Sequence, residues 1–218
     1  MKKAMLLLVL FLCLVFSGCT TEVTDPPADT DIPTTDNSQA ELDAEAPMIP
    51  ENTESSLTSE SQLVVMLNFT RAGTMASNQY AVWIEDADGA LVKTLYVSSF
   101  TADGGYARRA ESLPTWVSKA NPAEMEAAAV DAVTSATPQS GLQSHSWDGT
   151  NENGDAMPSG EYHVFVEGTL YWTSSVLYSG SFEWGGDTAT VEMTPVYTEE
   201  DNETNKDMIT QVSAEYLA

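Results

Sequence analysis

The chain has 218 residues, 42% of them hydrophobic, and its 33 acidic against 8 basic side chains give a formal charge of −25. That length leaves room for one core of ordinary size once leader and polar segments are set aside. So acidic a surface excludes nucleic acid as a partner and has no electrostatic grip on an anionic lipid surface.

Lys2 and Lys3 precede an apolar run from Ala4 to Phe16 that is too short to span a bilayer as a mature helix, so residues 1–18 are expected to be a signal peptide. The run closes in Phe16-Ser17-Gly18-Cys19, which resembles the lipobox of bacterial lipoproteins, with Phe16 where leucine is usual. In that motif the cysteine receives diacylglycerol and becomes the mature N-terminus. The resemblance implies that Cys19 carries a lipid anchor holding the protein outside the cytoplasm, on the cell membrane or the outer membrane. Cys13 would leave with the leader, so the mature chain is expected to hold neither a disulfide nor a thiol nucleophile.

Between Thr20 and Ser61 there are eleven acids, five prolines, thirteen Ser or Thr and no Lys or Arg. Such a stretch buries too little apolar surface to offset chain entropy, and residues 19–61 are expected to be a disordered tether reaching on the order of 35–40 Å.

From residue 62 to 218 the hydrophobic period is two, which predicts half-buried strands. Leu63, Val65, Leu67 and Phe69 share one face of a first strand, and Tyr80, Val82 and Ile84 share one of a second. A turn at Asp88-Gly89 leads to a third strand over Leu91 to Val97. Tyr162, Val164 and Val166 mark a later strand, as do Tyr178, Phe182 and Trp184, then Ala189, Val191 and Met193, then Met208, Val212, Ala214 and Tyr216. The expected fold is all-β in the main: an antiparallel Ig-like β-sandwich with a short helical insertion. The insertion spans Tyr106 to Ala120, broken before Pro114, with a second helix from Asn121-Pro122 to Val130. It holds Arg108, Arg109 and Lys119, and reads as a solvated face with Trp116 packed inward, or else as an anion or partner site.

The stretch Trp147-Asp148-Gly149, Asn153-Gly154, Pro158-Ser159-Gly160-Glu161-Tyr162 resembles the Ig-like domain of the flagellar hook-capping protein FlgD, where a similar pattern closes a hairpin. Together with Tyr80 to Asp88, Asp131 to Thr137 and Phe182-Glu183-Trp184-Gly185-Gly186-Asp187, it is closer still to the predicted periplasmic proteins of domain-of-unknown-function family 2271, over roughly Gln62 to Leu217.

Catalytic schemes find little in this chain. His145 and His163 are the only histidines and lie in no paired-ligand spacing, with His163 expected on an exposed strand face. No nucleophile elbow, P-loop or dinucleotide fingerprint is present. Aligning Gly154 with the EF-hand glycine leaves Gly149 and Gly160 at the two anchor ligands, so turn chemistry explains the acidic loop better than calcium does.

One motif carries chemistry. Asp131-Ala132-Val133-Thr134-Ser135-Ala136-Thr137 resembles the D-x-x-S/T-G-A-S/T sequence at which bacterial flavin transferases attach FMN through a phosphoester, with Ser135 where the pattern has glycine. The resemblance implies covalent FMN on Thr137, with Asp131, Thr134 and Ala136 as the supporting positions. The partners it implies are a flavin transferase and a membrane redox protein. Two functions follow: a non-catalytic Ig-like binding or structural module of the cell envelope, and, as the alternative, a covalently flavinylated electron carrier.

Overall fold

The computed structural model describes residues 60–218 except 74–77 and 136–137. Cys19 and the acidic tether as far as residue 59 lie outside the described residues, and so do Ala136 and Thr137.

Among the described residues ten strands form two sheets: β1 (Gln62–Phe69), β2 (Gln79–Asp86), β3 (Leu91–Ser98), β4 (Thr134–Ser135), β5 (Gly141–Trp147), β6 (Gly160–Tyr171), β7 (Ser174–Trp184), β8 (Ala189–Val191), β9 (Thr194–Tyr197) and β10 (Ile209–Leu217). The first sheet runs β5-β1-β10-β8 and is antiparallel throughout. The second runs β4-β3-β2-β6-β7-β9, with β3 and β4 its one parallel pair. The inward residues of both sheets meet in a single core that includes Leu63, Leu67, Trp147, Ile84, Val164 and Tyr216. Burying each such side chain contributes roughly 1.5–3 kcal/mol, which is why alternate apolar residues dictate a sandwich.

Strand alternation fails on β2, where every residue from Gln79 to Glu85 is buried. Around β2 the six-stranded sheet is covered on both faces. Its outer side meets the helical insertion, where Ala81, Trp83 and Val97 pack with Leu113, Trp116 and Val133. The insertion comprises α1 (Ser99–Ala102), a 3₁₀ turn at Gly105–Ala107, α2 (Pro114–Ala120) and α3 (Ala127–Val133). Pro114 opens α2 instead of interrupting a longer helix, as its fixed φ favours at a first turn. The second helix starts later than expected, because Asn121 ends α2 in the left-handed region at φ 47° and a turn follows it.

α2 is clamped to the sheet at both ends. The buried Glu167 carboxylate of β6 accepts the backbone N–H groups of Thr115 at 3.0 Å and Trp116 at 2.8 Å, satisfying the helix N-terminus from outside. At the other end Lys119 Nζ donates to Glu85 Oε2 and to the Gly89 carbonyl, both at 2.7 Å. Glu85 also accepts the Trp83 indole N–H at 2.7 Å, and the Trp116 indole donates to Thr94 at 3.2 Å. Trp116 therefore packs inward as expected, fully buried.

Two further departures have local causes. β10 carries a bulge at Gln211, φ 52°, which gives it one more residue than β1 opposite and reverses the facing of its first part, so that Ile209 and Ala214 both point inward. The segment from Trp147 to Gly160 is a crossover and not a hairpin between paired strands, because β5 pairs with β1 whereas β6 pairs with β2 and β7. Within it Thr150 and Ala156 form one small bridge with Asn153-Gly154 at the tip. The crossover is held by turn chemistry: Asp148 Oδ1 accepts from Thr150 N at 3.1 Å, and Asn151 Oδ1 accepts from the backbone of Asn153 and Asp155, each at 2.9 Å. Glu152 docks it on β3, accepting Thr94 N–H at 2.7 Å. Trp147 is buried at its base, against Tyr162, Phe182 and Trp184. Gly149, at φ 79°, lies so close to the Trp184 ring that a Cβ would fall 1.9 Å from it.

Candidate functional site

The motif beginning at Asp131 occupies the free edge of the six-stranded sheet. α3 ends at Val133, the only residue of that helix that is buried, and the chain then adds Thr134 and Ser135 beside Val97 and Ser98 of β3. Among the described residues no strand lies beyond β4 in the sheet order. Asp131, Ala132 and Ser135 are exposed, and half-buried Thr134 donates its hydroxyl to the Asp131 carbonyl at 3.3 Å. The structure thus brings Asp131 and Thr134 together, while Ala136 and Thr137 lie outside the described residues. Ser98 anchors the strand that β4 joins: its Oγ accepts the Tyr80 N–H at 3.0 Å and donates to the Tyr80 carbonyl at 3.2 Å.

Beneath this edge, Tyr80 and Tyr96 stack at 4.2 Å between ring centroids, and His145 of β5 completes the group with its Nε2 3.3 Å from the Tyr80 hydroxyl. Burial holds the Tyr80 phenol well above its ordinary value and pushes the His145 imidazole down to about 4.

A second feature lies on the outer face of the same sheet, on the side away from β3. Strand register sets Glu85, His163 and Ser181 in one row across β2, β6 and β7, and Trp83, Phe165, Ser179 and Thr194 in the next, out to β9. Where α2 no longer covers these rows there is a hollow of about 340 Å³, lined by His163, Phe165, Ser179, Gly180, Ser181, Glu192 and Thr194. His163 Nδ1 and Ser181 Oγ share a hydrogen bond of 2.8 Å, and Phe165 stacks on Trp83 at 5.1 Å and 12°. His163 is therefore a half-buried wall of a hollow, where strand alternation alone predicts an exposed face. Glu192 reaches it because the chain crosses from β8 to β9 against Gly180, where a Cβ would meet Val191 and the Glu192 carbonyl at 2.7 and 2.8 Å. The signal for this site is faint: β7 places Ser179 and Ser181 opposite Tyr178 and Phe182, hydroxyls where a covered face would need bulk.

The bases of the insertion are engaged with aromatic rings and carboxylates. Arg108 lies 5.5 Å over Phe100, Arg109 lies 5.6 Å over Trp172, and Lys119 pairs with Glu85. Among the described residues no group of three or more His, Cys, Asp or Glu is arranged to hold a metal ion, and no helix is long and apolar enough to cross a membrane.

No curated protein and no solved structure shows a significant match to the chain. A family model does: it covers residues 60–199, from the start of β1 through β9, and so takes in both the motif at the sheet edge and the hollow. The chain belongs to domain-of-unknown-function family 2271, described as predicted periplasmic proteins.

Proposed function

We propose that this protein is a lipid-anchored, extracytoplasmic β-sandwich protein that carries FMN as a phosphoester on Thr137 and serves as a single-domain electron carrier. The observation that supports this reading is the sheet-edge setting of Asp131 to Ser135, in which Asp131, Ala132 and Ser135 are exposed while Val133 pins the segment to the outer core. A transferase must take the acceptor hydroxyl into its own active site, which requires a segment that no other part of the fold covers. Asp131, Thr134, Ala136 and Thr137 match the acceptor pattern, and in sequence Thr137 lies two residues past Ser135, the last of the edge strand. In the attachment step the Thr137 Oγ–phosphorus bond forms as a flavin dinucleotide donor breaks its diphosphate phosphorus–oxygen bond, the nucleoside monophosphate departs with that oxygen and its electron pair, and the hydroxyl proton passes to a base of the transferase. Bound FMN supplies one- and two-electron redox chemistry, and the chain supplies its position. The partners of this reading are the flavin transferase and a membrane redox protein, the latter kept within reach by the anchor.

Co-expression with a flavin transferase tests it. In-gel ultraviolet fluorescence after denaturation, and a peptide mass increased by one FMN phosphoester, are expected for the wild type and absent from Thr137→Ala. An unmodified wild-type peptide, in cells where the transferase labels another substrate, refutes the reading.

A second reading, a non-catalytic Ig-like binding module of the cell envelope, is favoured by the hollow beside His163, which the flavin reading leaves without a role.

A further inference from the structure

We infer that the hollow on the outer face of the six-stranded sheet binds a neutral saccharide of one or two pyranose rings. This rests on the binding-module reading and names the ligand class of that site. A covered sheet face carries bulky apolar side chains, as β2 does with Trp83 packed against Trp116 and Leu113 in the outer core. The same face of β7 and β9 carries Ser179, Ser181 and Thr194 instead, and these short side chains leave the space. Its volume of about 340 Å³ is at the small end of ligand pockets, which run from about 300 to 1,000 Å³.

The lining selects the chemistry. An anion is opposed by the Glu192 carboxylate and by the charge of −25. An apolar ligand would strand three hydroxyls, an imidazole and a carboxylate. An organic cation would use Glu192 and Phe165 but leave the three hydroxyls against alkyl surface. Nucleophilic catalysis is not favoured, because His163 and Ser181 are a cross-strand pair of the β6–β7 ladder and, among the described residues, no carboxylate hydrogen-bonds the imidazole to orient it as a base.

A sugar matches what remains. Its hydroxyls both donate and accept, so Glu192 can take two donors while Ser179, Ser181 and Thr194 serve in either sense. His163, with Nδ1 engaged by Ser181, has Nε2 left for a ligand. Phe165 offers a ring held rigid by the Trp83 indole behind it, a surface on which the C–H face of a pyranose packs. An extracytoplasmic protein meets such groups both as free sugars and as the glycan ends of envelope polymers.

The test is a chemical-shift titration of the isotope-labelled full chain with N-acetylglucosamine and its β-1,4-linked dimer, with ethanolamine as the cationic probe. Expected are saturable shifts of His163, Ser179 and Ser181 with a dissociation constant of about 1 mM, and binding about fivefold weaker in Glu192→Gln, an exposed substitution that leaves the core untouched. Retention on insoluble peptidoglycan that falls in Glu192→Gln assigns the sugar to an envelope polymer, whereas binding of the soluble sugars without retention assigns it to free saccharide. If about 50 mM of either sugar shifts nothing while ethanolamine shifts these residues, the saccharide assignment is overturned and the binding module stands. Silence with all probes overturns both.

Discussion

His145 shows how a single side chain can set the acid limb of stability. Its ring lies half-buried against Tyr80 and Tyr96, with the Tyr80 hydroxyl as its hydrogen-bond partner, and burial holds the imidazole at about 4 instead of the ordinary 6.5. Because the folded value is the lower one, the unfolded chain binds more protons between these limits. The neutral ring's contribution is fully present above about pH 6.5 and is lost as pH falls toward 4, on the order of 2–3 kcal/mol over the window. His145→Phe, which keeps a ring against the two tyrosines, is expected to flatten the stability profile over that range while changing little at pH 7.5. Urea denaturation of both proteins at pH 7.5, 5.5 and 4.5 checks this, and parallel profiles would show that His145 does not control it. Nothing in the sequence around Ser144-His145-Ser146 marks this group, since the two tyrosines come from β2 and β3 and meet the histidine only through the packing of one sheet on the other.

At the scale of elements, the clamp on α2 decides whether the outer face of the six-stranded sheet is covered. A seven-residue helix is too short to persist alone, so its stability comes from Trp116 packing and from Glu167 and Glu85 at its two ends. Burial raises the Glu167 carboxyl above its ordinary range, and the amides of Trp116 and Thr115 pull it partly back. Glu167→Ala removes the acceptor of two helix-end N–H groups, one of them on buried Trp116, and is expected to cost about 1–3 kcal/mol. Amide exchange should then accelerate at Thr115 and Trp116 more than in β1, and uniform acceleration would mean that Glu167 acts on the whole fold and not on the helix end. The alternation of Leu63 to Phe69 and the inward set Tyr162, Val164 and Val166 are plain in the sequence because these side chains are buried against the opposite sheet. The second, outer core was less legible: Trp83 and Phe165 sit at the polar phase of strands that already had an apolar face, and only the docked helix explains them. The hairpin expected at Trp147 to Gly160 failed for a related reason, since turn residues report a local reversal but not which sheet the next strand joins.

For the whole molecule the lipid anchor proposed at Cys19 poses the question of what would hold so acidic a protein at a membrane. The described residues contain six bases: Lys93 faces Asp148, Lys119 and Lys206 pair with Glu85 and Glu203, Arg108 and Arg109 lie over Phe100 and Trp172, and Arg71 stands alone in sequence among neutral neighbours. A basic residue near an anionic leaflet contributes only about 1 kcal/mol, and a surplus of 25 acids over bases along the chain opposes even that. Among the described residues no helix is long and apolar enough to serve as an anchor. In the proposed reading attachment rests on acyl chains on Cys19, where each buried CH₂ would contribute about 0.8 kcal/mol and two or more chains would make release negligible. Wild-type protein is expected to stay with the membrane pellet through a high-salt wash and to enter the detergent phase on extraction. Cys19→Ala alone could retain an uncleaved leader, whose run from Ala4 to Phe16 is itself apolar, so the decisive comparison replaces residues 1–19 with a cleavable export signal that carries no lipidation cysteine. That protein should appear wholly in the soluble extracytoplasmic fraction with an unmodified N-terminus by mass spectrometry. If it remains with membranes as the wild type does, the folded part itself binds the envelope, and the anchor at Cys19 is not what keeps it there.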